Sequence, residues 1–355
     1  MQISILCPLD RSPQMPRGLL CRHYGYVHVP KRKTPHLLGP GRVWRKCYIV
    51  HPRTQALDPL MKYQWLTHTA IVHGLPERVT APSLTNNCNI TQCVERAREV
   101  LVCQLRDELT QAELSAGFLQ STLAGMWMQA CGQQHLINSS LTFEPHVESY
   151  WRRGGDNFLC ISKPMYILHT YRPLDLFCDP DLSAEGIPPF QYKPFHLGLF
   201  ERSIDQIRPF GGCKRYSPYS FTHTLFIADQ KSRTREQVLA HGLMQLFSQA
   251  TAEVVQNGYS VEQDLSYPLA TQGVITDGRQ FTFVCFQLNT LNLCQEAGGR
   301  INMFWVGPTL GLYKKDCFNE ECVRQILQLL LQRPTRRCPS LSGFTLPKPV
   351  RRAVG

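Results

Sequence analysis

Residues 269–288 read LATQGVITDGRQFTFVCFQL and carry the strongest structural signal in the chain. Two runs rich in β-branched and aromatic residues, Leu269–Thr276 and Phe281–Leu288, flank the dipeptide Asp277-Gly278. Asp-Gly favours a tight hairpin turn because both residues tolerate a positive φ, and the flanking side chains favour strands. The stretch therefore predicts a β-hairpin, and residues 301–306 can add a third strand.

Helical patterns lie on both sides of this hairpin. Residues 234–257 carry apolar side chains on one helical face and end at a glycine, which predicts a central helix. Residues 319–332 predict a closing helix. Nearer the N-terminus, Asp58-Pro59 favours a helix start and the pattern runs to Gly74. Two further helices are predicted over about 91–108 and 110–132.

The order of these elements predicts an α+β fold. Short β-type runs at 158–161, 165–170 and 222–228 lie in the middle of the chain, and residues 172–220 are rich in Pro, Gly and aromatic residues. We interpret this last stretch as a long wrapped connection. The expected architecture is a single mixed domain with N-terminal helices, a central helix, a C-terminal β-hairpin and a closing helix, plus extended basic ends.

The positive charge of the chain is concentrated at its two ends. The formal net charge is +11. Residues 1–53 hold ten Lys/Arg and one acid, residues 333–355 hold six Lys/Arg and no acid, and residues 54–332 hold 22 basic and 26 acidic side chains. We therefore divide the chain into a basic Pro-rich arm (1–53), an α+β body (54–332) and a basic tail (333–355). Basic ends fit a polyanionic partner, or they keep the protein soluble.

Composition also narrows the class of protein. Fifteen cysteines without a regular framework favour free thiols in a reducing compartment over a secreted disulfide scaffold. No apolar run approaches the roughly 20 residues of a membrane span. The arginines near the N-terminus are compatible with a mitochondrial transit peptide covering part of the arm, although prolines interrupt any amphipathic helix there.

Motifs for catalysis, metal binding or nucleotide binding are absent from the sequence. Cys88, Cys93 and Cys103 do not have the paired spacing of a zinc site. The sequence contains no GxSxG, no GxGxxG and no phosphate loop with GK[ST]. We therefore expect no metal, no cofactor and no enzymatic activity.

Basic clusters beside aromatic residues and glycines are the best candidates for a functional surface. Aromatic side chains stack on unpaired bases while Arg and Lys hold phosphates, and residues 150–155 (YWRRGG) and 208–216 (RPFGGCKRY) have this composition. Alternatively, Trp151 and Tyr216 are core anchors beside ordinary surface charges. The candidate RNA-binding residues are Lys31, Arg32, Lys33, Arg42, Arg45, Lys46, Arg53, Arg152, Arg153, Lys214, Arg215, Arg336 and Arg337.

Three stretches carry a family pattern: QGVITDGRQFTFVCFQLNTLNL (272–293), CFNEECVRQILQLLLQRP (317–334) and YIVHPRTQALDPLMKYQWLTHTAIVHGLP (48–76). With weaker matches at 148–155 and 222–230, they resemble the programmed cell death protein 9 family of mitochondrial ribosomal proteins, historically assigned to the small subunit but belonging to the large one. A paralogous large-subunit family, numbered thirty-seven in the mitochondrial series, shares the hairpin and the pattern at 65–77. The spacing from hairpin to last helix fits the first family better.

This resemblance implies a structural component of the mitochondrial large ribosomal subunit in the matrix. Such a protein would contact large-subunit rRNA and neighbouring ribosomal proteins, including the paralogue as a partner. The matching stretches are core signatures and bring no catalytic residues with them. The alternative is a stand-alone RNA-binding or apoptosis-related adaptor.

Overall fold

The fold is given by a computed structural model, which describes residues 45–50, 60–80, 95, 138–181, 197–204, 209–213, 217–229, 233–257, 262–293, 299–314 and 317–335. The strands of this part of the chain are β1 (Arg45–Val50), β2 (Thr69–His73), β3 (Ser139–Phe143), β4 (Val147–Arg153), β5 (Asp156–Ser162), β6 (Tyr166–Thr170), β7 (Phe200–Ile204), β8 (Phe210–Gly211), β9 (Phe221–Ala228), β10 (Asp264–Thr276), β11 (Gln280–Thr290), β12 (Asn302–Gly311), β13 (Tyr313–Lys314) and β14 (Cys317–Phe318). The helices are α1 (Leu60–Thr67), α2 (Glu77–Thr80), α3 (Arg235–Gln256) and α4 (Glu320–Leu330).

The hairpin lies inside a seven-stranded sheet with the order β2-β12-β11-β10-β9-β6-β3. Gly278 has a φ of 88°, which glycine adopts without strain. The Asp277 carboxylate accepts hydrogen bonds from the backbone N–H groups of Arg279 (2.9 Å) and Gln280 (2.8 Å). The predicted β10–β11 hairpin is thus confirmed, and β12 pairs antiparallel with β11 as its predicted third strand.

A second, five-stranded sheet has the order β7-β1-β5-β4-β8. β1 runs parallel to β5, whereas β7, β4 and β8 pair antiparallel with their neighbours. The two glycines at 154 and 155 have positive φ values and make the tight connection between β4 and β5.

Helix α3 packs between the two sheets. Thr234 forms a capping box with Gln237 at its start, which satisfies free N–H groups of the first turn. Phe247 contacts Trp151 of the five-stranded sheet edge-to-face, with ring centroids 5.1 Å apart, and Phe286 of the seven-stranded sheet at 6.3 Å. These rings belong to one core formed by both sheets and the helix. A helix enclosed in this way buries polar as well as apolar side chains.

Helix α4 covers the opposite face of the seven-stranded sheet. Its apolar side chains, Val323, Ile326, Leu327 and Leu330 among them, form a second core with sheet residues such as Phe283. The described layers are therefore sheet, helix, sheet and helix. In this arrangement the outer side of the five-stranded sheet has no described helix packed on it.

The expected α+β fold with N-terminal helices is wrong, because strands in two mixed sheets dominate the described residues. The segment 58–74 shows the reason. Its helix ends at Thr67, His68 has a φ of 50°, and Thr69–His73 forms β2, which pairs parallel with β12. Backbone hydrogen bonds to a neighbouring strand, together with β-branched side chains, outweigh the helical spacing of the segment.

The middle of the chain is also richer in strands than the sequence pattern predicts. Residues 138–170 form four strands, and β7 and β8 lie in the stretch that we interpreted as a long connection. The central and closing helices are present as α3 and α4. The helices predicted over 91–108 and 110–132 lie outside the described residues.

Candidate nucleic-acid interface

Most of the predicted RNA-binding residues lie outside the described part of the chain. They are Lys31, Arg32, Lys33, Arg42, Arg53, Lys214, Arg215, Arg336 and Arg337. The structure describes Arg45 and Lys46 on β1, and Arg152 and Arg153 on β4. Their role in RNA binding stays a prediction, but their positions separate them into two groups.

The two basic pairs lie at the same end of the five-stranded sheet. β5 separates their strands, and Asn157 of β5 pairs with Cys47 on one side and with Arg152 on the other. Because successive side chains of a strand point to opposite faces, Arg45 and Arg152 lie on one face and Lys46 and Arg153 on the other. The latter face is the one that packs on α3.

Lys46 is held by an acidic neighbour. Its ammonium group lies 2.8 Å from the Glu201 carboxylate of β7 and 5.3 Å from the centre of the Tyr48 ring. The hydrogen bond to Glu201, followed by that to Tyr48, raises the pKa of the Lys46 side chain. A ligand phosphate would therefore have to compete with Glu201 for this cation.

Arg153 lies on the face of the five-stranded sheet that packs on α3, where it contributes to packing. It is only 9% exposed, its guanidinium lies 4.9 Å from the centre of the Trp65 ring, and Nη1 is 3.4 Å from Nδ1 of His68. Burial, and secondly the Arg153 charge, lower the pKa of His68 to about 4, so this histidine is neutral at physiological pH. The contacts join β4 to α1.

The aromatic residues of the YWRRGG motif are also committed to the fold. Trp151 is fully buried and stacks on Phe158 at a centroid distance of 5.8 Å. The Tyr150 hydroxyl donates a 2.6 Å hydrogen bond to Asn157, whose amide in turn donates to the backbone carbonyl of Lys46 at 3.0 Å. This burial agrees with the interpretation of Trp151 as a core anchor and not with a role in stacking on RNA bases.

The other face of the five-stranded sheet, which we call the outer face, has an apolar centre and a basic end. Cys47, Tyr150 and Leu159 form its centre, and Ile49, Ile161 and Ile204 pack around them. Arg45 pairs with Ile204 across β1 and β7, and Arg202 pairs with Cys47, so both arginines belong to this face.

Three exposed side chains lie along β1 and β7 on the outer face, Arg45 and Arg202 towards its basic end and Phe200 at the other end of β7. Arg45 and Arg202 are exposed and form no ion pair with an acidic side chain of the described residues. Phe200, opposite Ile49, is 59% exposed although it is a large apolar side chain. Arg152 is also on this face, but it forms an ion pair with Glu262.

Sequence reasoning found Arg45 and missed Phe200 and Arg202. The missed pair lies in the short strand FERSI, inside the segment interpreted as a connection. A period-2 pattern of Phe200, Arg202 and Ile204 was the available signal, but five residues of edge strand are too few to distinguish it from a loop.

The remaining strongly perturbed groups are buried and lie apart from this face. Burial raises the pKa of Glu253 on α3 to about 8, and the Thr222 backbone N–H donates a 3.0 Å hydrogen bond to its carboxylate. Burial lowers the pKa of His169 to about 4 and that of His241 to about 3. Among the described residues no three His, Cys, Asp or Glu side chains converge as metal ligands. No helix in this part of the chain is long and apolar enough to cross a membrane.

Comparison with known proteins gives a consistent result over most of the chain. The family described as mitochondrial 28S ribosomal protein S30 (PDCD9) matches residues 40–166 and 158–334. The large ribosomal subunit protein mL37 of Gallus gallus is 24% identical over 313 residues, which cover 83% of this chain and 71% of that protein. The mL37 protein of Bos taurus is 25% identical over 316 residues, or 82% of this chain and 72% of that protein.

Proposed function

From its membership of the mitochondrial 28S ribosomal protein S30 (PDCD9) family, to which this chain belongs, we propose that the protein is a structural component of the large subunit of the mitochondrial ribosome. The observation that carries this proposal is the family match across both sheets and both long helices. The resemblance found in the sequence is thereby confirmed at the level of the family.

The large subunit is favoured over the small one. The family description refers to a 28S particle, but the similar chicken and bovine proteins are both named as large-subunit proteins, and each aligns over more than four fifths of this chain. Assembly into that subunit places the protein in the mitochondrial matrix and gives it rRNA and neighbouring ribosomal proteins as partners. A paralogue related to mL37 is the protein neighbour we propose first.

The role is architectural rather than enzymatic. Glu253, His169 and His241, whose pKa values are strongly shifted, are buried in α3 and the seven-stranded sheet, and His68 is buried against Arg153, so all four belong to the packing of the fold. The exposed cations Arg45 and Arg202 of strands β1 and β7 are instead available to a partner. A stand-alone adaptor protein remains the second candidate from the sequence, and the family match favours the ribosomal role.

Sedimentation tests this proposal. The chain, expressed with an epitope tag in cultured cells, should sediment with the large subunit when a mitochondrial lysate is centrifuged through a sucrose gradient at moderate salt. EDTA, which separates the subunits, should leave it with the large-subunit rRNA. Recovery only in the free-protein fractions would contradict the ribosomal role and favour the adaptor.

A truncated chain tests the contribution of the basic ends. The structure dictates where to cut: β1 begins at Arg45, so a deletion of 1–53 would remove a strand, whereas deletions of 1–43 and 336–355 leave the described elements intact. With a heterologous mitochondrial targeting sequence attached, this chain should leave the large subunit at lower salt than the full chain does. Equal salt resistance would show that the ends contribute little.

A further inference from the structure

The outer face of the five-stranded sheet differs from the other sheet surfaces in its combination of side chains. Phe200 and Arg202 lie two residues apart on the edge strand β7 and therefore on the same face, about 7 Å apart along the strand. Arg45, on the neighbouring strand, lies opposite Ile204, four residues along β7 from Phe200. Phe200 lies at the other end of β7, opposite Ile49, and Arg202 lies between the two, so an exposed aromatic ring and two exposed guanidinium groups form a row about 14 Å long.

Against the described part of the chain, these three side chains contribute little to packing or to ion pairing. Phe200 is 59% exposed, so its ring contributes little to the core. Arg45 and Arg202 are not neutralised by the acids of their strands, because Glu201 points to the opposite face and is bound by Lys46. Of the other described acids near this end, Asp156 lies on the opposite face beside Arg153, and Glu262 is bound by Arg152. Within the described residues, the basic end of the outer face therefore retains positive charge that no acidic side chain pairs with.

We propose that Phe200, Arg202 and Arg45 form a docking site for unpaired RNA nucleotides, with one base stacked on the Phe200 ring and two phosphates further along the same RNA strand held by Arg202 and Arg45. Stacking on an exposed aromatic ring and ion pairing with phosphates are the two interactions by which proteins bind single-stranded RNA without reading its sequence.

The course of the chain supports RNA as the occupant. β1 starts at Arg45, and the residues before it are the basic arm, which holds Lys31, Arg32, Lys33 and Arg42. The arm therefore joins the body at the basic end of the outer face. Four cations within the 14 residues of sequence before Arg45 favour an extended polyanion over a small acidic patch on a protein neighbour. The identification of the polyanion as RNA rests on the proposed ribosomal function.

Binding of a fluorescein-labelled 12-nucleotide oligouridylate to the purified full chain tests this site. Fluorescence anisotropy at several salt concentrations gives the affinity and its salt dependence. The test variants are Arg45→Gln/Arg202→Gln and Phe200→Ala. The matched control is Arg235→Gln/Arg324→Gln, which removes two exposed arginines from α3 and α4. Unchanged urea midpoints verify that each variant is folded.

The two test variants should change different properties of RNA binding, namely its salt dependence and its affinity. Arg45→Gln/Arg202→Gln should reduce the slope of log K against log salt by about 1.4, since each phosphate contact with a single strand contributes about 0.7. Phe200→Ala should weaken binding about fivefold or more at every salt concentration without changing the slope. A double-arginine variant with the slope of the control, or wild-type affinity in Phe200→Ala, overturns the proposal.

A labelled polyglutamate peptide separates RNA from an acidic protein partner. If the arginine variant weakens peptide and RNA equally, and Phe200→Ala weakens neither, the site binds acidic protein and the RNA proposal is overturned. The ribosomal role is judged independently by sedimentation of the wild-type chain. If the wild-type chain does not sediment with the large subunit, the ribosomal role is refuted, but RNA binding measured at the site is not. If the wild-type chain sediments with the large subunit but the variants bind RNA as the wild type does, only the proposed RNA site is refuted.

Discussion

Glu253→Gln should stabilise the protein progressively as the pH rises from 5 to 8. The carboxyl group lies on α3 between the two sheets, where it is only 4% exposed, and burial raises its pKa to about 8. Burial has this effect because it disfavours the charged form. Glutamine has nearly the same shape, and its carbonyl oxygen can accept the hydrogen bond from the Thr222 backbone N–H.

The magnitude follows from the difference between the folded and unfolded protein. The ordinary pKa of this carboxyl group is 4.5. Between pH 4.5 and 8 the folded protein keeps a proton that the unfolded chain releases, so stability from this group is complete below pH 4.5 and falls as the pH rises. The fall is about 1.4 kcal/mol per pH unit, or about 3.5 kcal/mol between pH 5 and pH 8. Glutamine carries no such proton, so the variant avoids this loss.

Urea unfolding followed by tryptophan fluorescence at pH 5, 6, 7 and 8 measures the effect. The free-energy difference between variant and wild type should move by about 3.5 kcal/mol in favour of the variant over this range. His169 and His241 titrate in both proteins and cancel in the difference. Glu236→Gln, at an exposed position of α3, is the control and should show little change with pH. A difference that is constant for Glu253→Gln would show that the folded protein holds this carboxylate ionised, and the reasoning would fail.

Three further substitutions test the packing around α3 and the larger sheet by the same urea assay. Trp151→Ala should cost about 3–5 kcal/mol, because a fully buried ring between sheet and helix is lost. Gly307→Ala should cost about 1–3 kcal/mol, since its Cβ would lie 2.9 Å from the backbone carbonyl oxygen of Phe283. Thr234→Ala should cost about 1 kcal/mol by removing the capping box of α3. A loss under about 0.5 kcal/mol for Trp151→Ala would contradict the enclosed position of α3.

The elements that the sequence predicted correctly are those whose signals lie within a few neighbouring residues. The Asp277-Gly278 turn and its flanking strands were predictable because the turn type and the side-chain preferences agree. Helix α3 was predictable because its apolar face follows helical spacing and a glycine marks its end. The pairing partners of β2 and β7, by contrast, come from distant parts of the chain, and no pattern within their five residues specifies them.

The sequence identified some of the basic residues of the candidate site, but not the face of the sheet on which each one lies. Charge counting identified the basic pairs at 45–46 and 152–153, but adjacent residues of a strand face opposite ways. One member of each pair therefore lies on the outer face, and the other is bound by Glu201 or packed on Trp65. Phe200 and Arg202 gain their significance only from pairing with β1, which the sequence does not reveal.

The position of α3 between the sheets has a consequence for how the chain acquires its structure during synthesis. All five strands of the smaller sheet precede residue 235 in the chain, whereas β10, β11 and β12 follow the helix. The apolar inner surface of the smaller sheet, with Trp151 and Phe158, therefore emerges before Phe247 can cover it. Until the last third of the chain has been synthesised, the partly folded protein therefore exposes an apolar surface that is prone to aggregation. We expect its folding to be slow and dependent on chaperones.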